Sequence, residues 1–198
     1  MATQRLADYS FELGPIRPPS EAYSLLIRAT RNCPWNRCLF CHTYKRQKFE
    51  LRPAEDVIGD IEKAKAISDE IKRLAWRAGY GSQLKEFAAA IYSQYQYNDS
   101  VRNVALWLWA GSKSAFLQDA NTLIMRTNEL SEVIRFLKET LPSIKRMTSY
   151  DRSKTAAKKK PQELIELHEA GLSRLHIGLE SGYDPLLQYM DKGATAAD

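Results

Sequence analysis

At 198 residues with 44% hydrophobic content, the chain is long enough for one domain with a substantial core and too apolar for a disordered segment. Its only three cysteines fall within nine residues, which argues against a disulfide framework stapling distant parts of the fold and favours a metal or cluster site. The net charge of +5 fits an anionic partner, yet Lys158, Lys159 and Lys160 alone supply three of those charges, and a solvated run is a simpler account of them than a nucleic-acid patch.

The opening MATQRLADYSFELG lacks both a basic start leading into an apolar stretch and a small-residue cleavage site, and no long uncharged apolar run follows. A cytoplasmic protein without a membrane partner is expected. Residues 1–19, with Pro15, Pro18 and Pro19 near their end, read as an irregular arm; residues 20–198 read as one domain. Four short apolar runs then read as strands: Ser24 to Thr30, Ser114 to Gln118, Ile144 to Ser149 and Arg174 to Leu179. Between them lie helical patterns. The first begins near Pro53, carries Val57, Ile61, Ala64, Ile67, Ile71 and Leu74 on one stripe, and ends near Gly79. Two more, around Leu84 to Tyr95 and Val101 to Leu108, form a helical insertion at about 80–113 that lengthens the first crossover. Further helices fit Asn128 to Thr140, Pro161 to Ala170 and Pro185 to Met190. The alternation predicts an α/β fold with about four parallel strands, crossover helices and a helical insertion between the first and second strands.

In a βα barrel, functional groups gather at the carboxyl ends of the strands. Here those ends lead to the cysteine cluster, to Gln118 and Asp119, to Tyr150, Asp151 and Arg152, and to Glu180, Ser181 and Gly182. On the fourth strand Leu175, Ile177 and Leu179 share one face, expected to meet helices, while His176, Gly178 and Glu180 share the other, facing inward.

The loop RNCPWNRCLFCHTYK has the spacing C-x4-C-x2-C without a fourth cysteine. Three thiolates at Cys33, Cys38 and Cys41 can hold three irons of a 4Fe-4S cube and leave one iron open to an exogenous ligand. The competing readings are a three-cysteine, one-histidine zinc site completed by His42, His168 or His176, and three free thiols. Spacing leaves all three open.

The loop resembles the signature of the radical S-adenosylmethionine superfamily, C-x3-C-x2-C with an aromatic residue before the last cysteine, the place Phe40 occupies; one extra residue separates Cys33 from Cys38. The resemblance extends through CPWNRCLFCHTYKRQKFELRP, FLQDANTL, TSYDRSKT and AGLSRLHIGLESGYDPLLQYMDKGAT. It implies a partial (β/α) barrel of the radical S-adenosylmethionine type, in which the open iron is chelated by the methionine moiety and reductive cleavage yields a 5'-deoxyadenosyl radical. The enzyme would need S-adenosylmethionine, a substrate and a reductant such as flavodoxin or ferredoxin. Residue by residue, Cys33, Cys38 and Cys41 become cluster ligands; Gln118 and Asp119 stand where a Gly-Gly-Glu motif receives the methionine amino group; Glu180 takes the ribose hydroxyls; Arg152 pairs with the methionine carboxylate; Tyr44 and Lys45 line the cluster loop. The chain ends in ATAAD before the fifth and sixth strands of such a barrel, so a fragment or truncated product is expected. The alternatives are a zinc-stabilised nucleic-acid-binding module, to which Trp35, Trp76, Trp107 and Trp109 would contribute, and a non-catalytic iron-sulfur protein.

Overall fold

A computed structural model of the chain describes residues 6–198; the first five residues of the expected arm lie outside it. Four parallel strands form one sheet in the order β1 (Leu25–Arg28), β4 (Ser114–Gln118), β5 (Arg146–Asp151), β6 (Leu172–Ile177). The fold class is α/β, with consecutive strands joined by crossover helices and the sheet not closed into a barrel. A second ladder, absent from the sequence-based expectation, pairs β2 (Thr30–Arg31) antiparallel with β3 (Glu50–Leu51).

The first helix, α1 (Ala54–Arg77), follows Pro53 and buries Val57, Ile61, Ala64, Ile67 and Ile71, as its 3.6-residue stripe requires. It closes with Gly79 at φ +84°: the Tyr80 amide donates to the Ala75 carbonyl at 2.8 Å and the Gly79 amide to Trp76 at 3.2 Å. Only a residue tolerant of the left-handed region fits that turn. The insertion consists of α2 (Leu84–Tyr92) and α3 (Asp99–Trp109). The Asn98 side chain caps α3 by accepting from the Val101 amide at 3.1 Å.

The helix α3 is nearly all buried because it packs against α2 and α1 and also covers the free edge of β1. Asn103 accepts from the Leu26 amide at 3.0 Å and donates to the Ser24 carbonyl at 3.2 Å. An edge strand that would otherwise expose unpaired backbone groups is thereby satisfied by a side chain. Trp107 belongs to this core at 1% exposure, whereas Trp76 and Trp109 lie on the surface.

After β4, α4 (Thr127–Thr140) packs on both α1 and α6 (Pro161–Ala170). Proline opens α6, Glu163 accepts from the Lys160 amide at 2.9 Å, and Gly171 at φ +132° ends it. A short α5 (Ser153–Lys158), for which the sequence reading assigned no element, follows β5, and α7 (Asp184–Tyr189) precedes the tail. Leu25, Ile27, Ala115, Leu117 and Met147 point to the helices and join one core with them. Leu26 and Phe116, in register, share the opposite face. Phe116, Tyr150 and His176 meet there at ring-centroid distances of 5.1 to 6.0 Å.

Register shifts the fourth strand to Leu172–Ile177. The expectation that Leu175, Ile177 and Leu179 all meet helices holds for Leu175 alone; Ile177 and Leu179 are 40% and 76% exposed. Ile177 is the last residue of an edge strand that pairs only with β5, and Leu179 lies past its end, so neither has a helix over it. Among the described residues no helix is long and apolar enough to cross a membrane.

Candidate functional site

The three cysteines lie on the segment between β2 and β3, so the two-residue ladder ties the two ends of their loop together. Within it the Asn36 side chain donates to the carbonyls of Tyr44 and Gln47, the Lys45 ammonium donates to the Asn36 carbonyl, and the Asn36 amide lies 3.4 Å from the Cys33 sulfur. Asn32 and Asn36 have φ of +67° and +48°, conformations in which a short amide side chain is tolerated far better than a branched one.

Asp119, at the carboxyl end of β4, holds the near shoulder of this loop. Its Oδ2 accepts from Arg28 Nε and Nη2 at 2.9 and 2.6 Å and from the Asn32 amide at 2.9 Å, while Oδ1 accepts from the Tyr44 hydroxyl. The carboxylate is fully buried, which is tolerable because every oxygen is met by a donor and Arg28 balances its charge. Burial, with Asp119 beside it, pushes the Tyr44 hydroxyl far up, so it acts as a fixed donor. Arg28 also bridges to Glu12 of the arm, which Arg31 grips with paired contacts of 2.7 Å; that hydrogen bonding holds Glu12 below the usual carboxylate range.

Gln118 is buried, and its amide is engaged by the arm. Its Oε1 accepts from the Gly14 amide at 2.9 Å, and Nε2 donates to the carbonyls of Gly14 and Ile16 at 3.1 and 2.8 Å. A Cβ on Gly14 would come within 3.0 Å of Asp119 Oδ1, so the arm passes directly over that carboxylate.

The far shoulder of the loop is held by the tail after α7. The Leu39 amide donates to the Met190 carbonyl at 2.9 Å, Trp35 Nε1 donates to the Asp191 carbonyl at 2.6 Å, and Arg37 pairs with the Asp191 carboxylate at 3.0 Å. Arg152, just past β5, donates to the carbonyls of Lys192 and Gly193 at 2.8 and 3.2 Å, its guanidinium 5.1 Å from the Trp35 ring centre. Lys192 lies 5.5 Å from the centre of the Phe40 ring and pairs with Glu180 at 2.9 Å. Gly193, at φ +67°, sits so close to Trp35 that a Cβ would fall 2.3 Å from the ring. Thus Arg152 reaches the loop through Trp35 and the carbonyls of residues 192 and 193, Glu180 is tied to it through Lys192, and Asp119 and Gln118 lie beneath the opposite shoulder.

The three thiols are partly exposed and free. Among the described residues no three His, Cys, Asp or Glu side chains converge as a metal site. Donor chemistry is what fits an iron-sulfur cluster: three sulfurs on one anchored loop, a backbone amide directed at Cys33, and the cations Lys192 and Arg152 near Cys38. Burial raises the Cys38 thiol, and those two cations oppose the shift. Of the histidines, His168 meets the Leu172 carbonyl and His176 meets Glu21, while His42, next to Cys41, is exposed.

The sequence matches no family model and no curated protein. Among solved structures, the chain is similar to apo, selenomethionine-labelled OxsB, a cobalamin-dependent S-adenosylmethionine radical enzyme, at 17% identity and a TM-score of 0.46. That match covers 88% of this chain and 20% of the other, so the chain spans about a fifth of that enzyme's length.

Sequence reasoning missed Arg28, Glu12, Lys192 and the stacking role of Trp35. Arg28 carried a signal, a charge ending the apolar run LLIR; Lys192 and Glu12 carried none, since their partners are remote in sequence.

Proposed function

We propose that this chain holds a 4Fe-4S cluster on Cys33, Cys38 and Cys41 and serves radical S-adenosylmethionine chemistry, as the whole or part of an enzyme whose substrate is unassigned. The observation that carries the reading is the cysteine loop itself: three thiols with no fourth, set at the carboxyl end of a parallel sheet and pinned on both shoulders. Such a group, when bound and reduced, supplies one electron to cleave a sulfonium into methionine and a 5'-deoxyadenosyl radical.

The chain's own residues would do the positioning. Cys33, Cys38 and Cys41 ligate, and the Asn36 amide beside Cys33 stabilises negative charge on sulfur. Arg152 faces the same loop and is the candidate partner for the methionine carboxylate. Glu180 is the candidate acceptor for ribose hydroxyls; to do so it must share its carboxylate with Lys192. Asp119 is the candidate for the methionine amino group; because the arm covers its buried carboxylate, that role requires the arm, held by Gln118, to move aside and the Tyr44 hydroxyl to release Oδ1. Flavodoxin or ferredoxin would be the reductant.

The test is anaerobic reconstitution with iron and sulfide, followed by dithionite and S-adenosylmethionine. The expected result is a brown protein that forms 5'-deoxyadenosine, with loss of both in Cys38→Ala. A colourless, zinc-binding chain that forms no such product overturns the reading; a stable cluster without product leaves a non-catalytic iron-sulfur protein.

A further inference from the structure

From the cysteine loop a cavity of about 720 Å³ runs toward the insertion, between the arm and α3, with Asn32, Tyr44, Arg28 and Asn103 on its walls. It adjoins a second cavity of about 420 Å³, and the two share Arg17, Tyr92 and Leu106. Together they lie within the size range of small-molecule sites, roughly 300–1,000 Å³ each. Their linings differ. The first is rich in polar groups, whereas the second is built on the aromatic side chains of Tyr23, Trp109 and Tyr92.

These rings are exposed at 55%, 42% and 38%, and Tyr23 and Trp109 are already in edge-on contact at 5.6 Å. Three aromatic side chains left open around one hollow mark a binding surface rather than scattered surface residues. At the junction stands Arg17, exposed and, among the described residues, with no hydrogen bond or ion pair. Arg102, across the first cavity, lies 5.3 Å from the Tyr92 ring and has only the exposed Asp99 as a charged partner, at 3.7 Å. Arg28 is neutralised by Asp119 and Glu12, so the net charge facing the junction comes from Arg17 and Arg102 against Asp99.

We infer that the double cavity binds a flat aromatic molecule carrying an anionic group, the ring between Tyr23, Trp109 and Tyr92 and the anion on Arg17. As a binding site it stands on this geometry alone; as the substrate site it rests on the radical reading above, because it opens onto the cysteine loop. A guanidinium contact to phosphate is worth on the order of 1.5–3 kcal/mol, which is about ten- to a hundredfold in affinity.

The test uses the chain without cluster or S-adenosylmethionine, titrated calorimetrically with 1-naphthyl phosphate, 1-naphthol and inorganic phosphate. Saturable one-to-one binding of 1-naphthyl phosphate is expected, weakened at least tenfold in Arg17→Ala and in Trp109→Ala. Arg17→Ala should leave the weaker binding of 1-naphthol unchanged, and inorganic phosphate alone should bind too weakly to detect. Circular dichroism identifies variants that fail to fold, and Trp109→Phe, which keeps a ring, should retain most of the affinity. No binding to the folded native chain, or binding indifferent to both substitutions, overturns the inference. Because this titration needs neither cluster nor S-adenosylmethionine, failure of the reconstituted native chain to form 5'-deoxyadenosine removes the radical reading and leaves the binding site in place.

Discussion

The two shoulders of the cysteine loop are held by different physics. On the β4 side a fully buried carboxylate, Asp119, collects a guanidinium, a backbone amide and a phenol, and the arm seals it. On the β6 side the contacts run to main-chain carbonyls of residues 190–193, to the exposed pair of Arg37 with Asp191 and to the partly buried pair of Lys192 with Glu180. Buried charge networks are stiff because opening them strands charge in a low dielectric, whereas exposed pairs open at little cost. The loop therefore has one fixed wall and one that can yield, which is how a site can be preorganised and still admit a ligand.

Substitutions that compare the walls should differ in size. Asp119→Ala should be the costliest, about 3–5 kcal/mol in urea denaturation, because it leaves Arg28, the Asn32 amide and the Tyr44 hydroxyl without their acceptor. A loss no greater than that of a surface pair would erase the distinction between the shoulders.

Asp151, at the end of β5 between the two walls, offers a pH readout. Burial pushes its carboxyl up to about 7, although the Leu123 amide and the Ser149 hydroxyl both donate to it. Because the folded state holds the proton more tightly than the unfolded chain, this contribution to stability is complete below about pH 4. It is lost as pH rises through about 7, by an amount on the order of a few kcal/mol. Chemical denaturation from pH 4 to pH 8 should show that decline in the native chain and a flatter profile in Asp151→Asn; parallel profiles would contradict it.

Asn103→Ala should cost about 1–3 kcal/mol, since it unpairs the buried amide of Leu26 at the edge of β1. Arg152→Ala should cost about 1–2 kcal/mol and act locally, speeding hydrogen exchange in residues 190–193 while β4 stays protected. Glu180→Gln should be the mildest, within about 1 kcal/mol, because the Glu180 side chain is 34% exposed and the amide oxygen can still accept from Lys192. If Arg152→Ala instead loosened β4, the two walls would be one cooperative unit.

Legibility in the sequence followed the range of the interactions. The stripe of α1, the proline that opens α6 and the glycines that end both helices depend on neighbours within a turn or two, and the structure places them where periodicity does. Strand ends drifted by about two residues at β5 and β6, because pairing partners rather than local propensity decide where a strand stops. The outward face of β6 was misread for the same reason: alternation reports that a strand has two faces, not that both are covered.

For the site, residue type and spacing alone singled out Cys33, Cys38 and Cys41, and chain order alone brought Asp119, Arg152 and Glu180 to strand ends. Tertiary structure decided what those side chains touch. Asp119 meets Arg28 and Tyr44 across 91 and 75 residues, and Gln118 holds an arm more than a hundred residues earlier. Such partners are chosen by the packing of the whole sheet, by burial and by the need to satisfy every enclosed charge, and no local pattern in the chain encodes them.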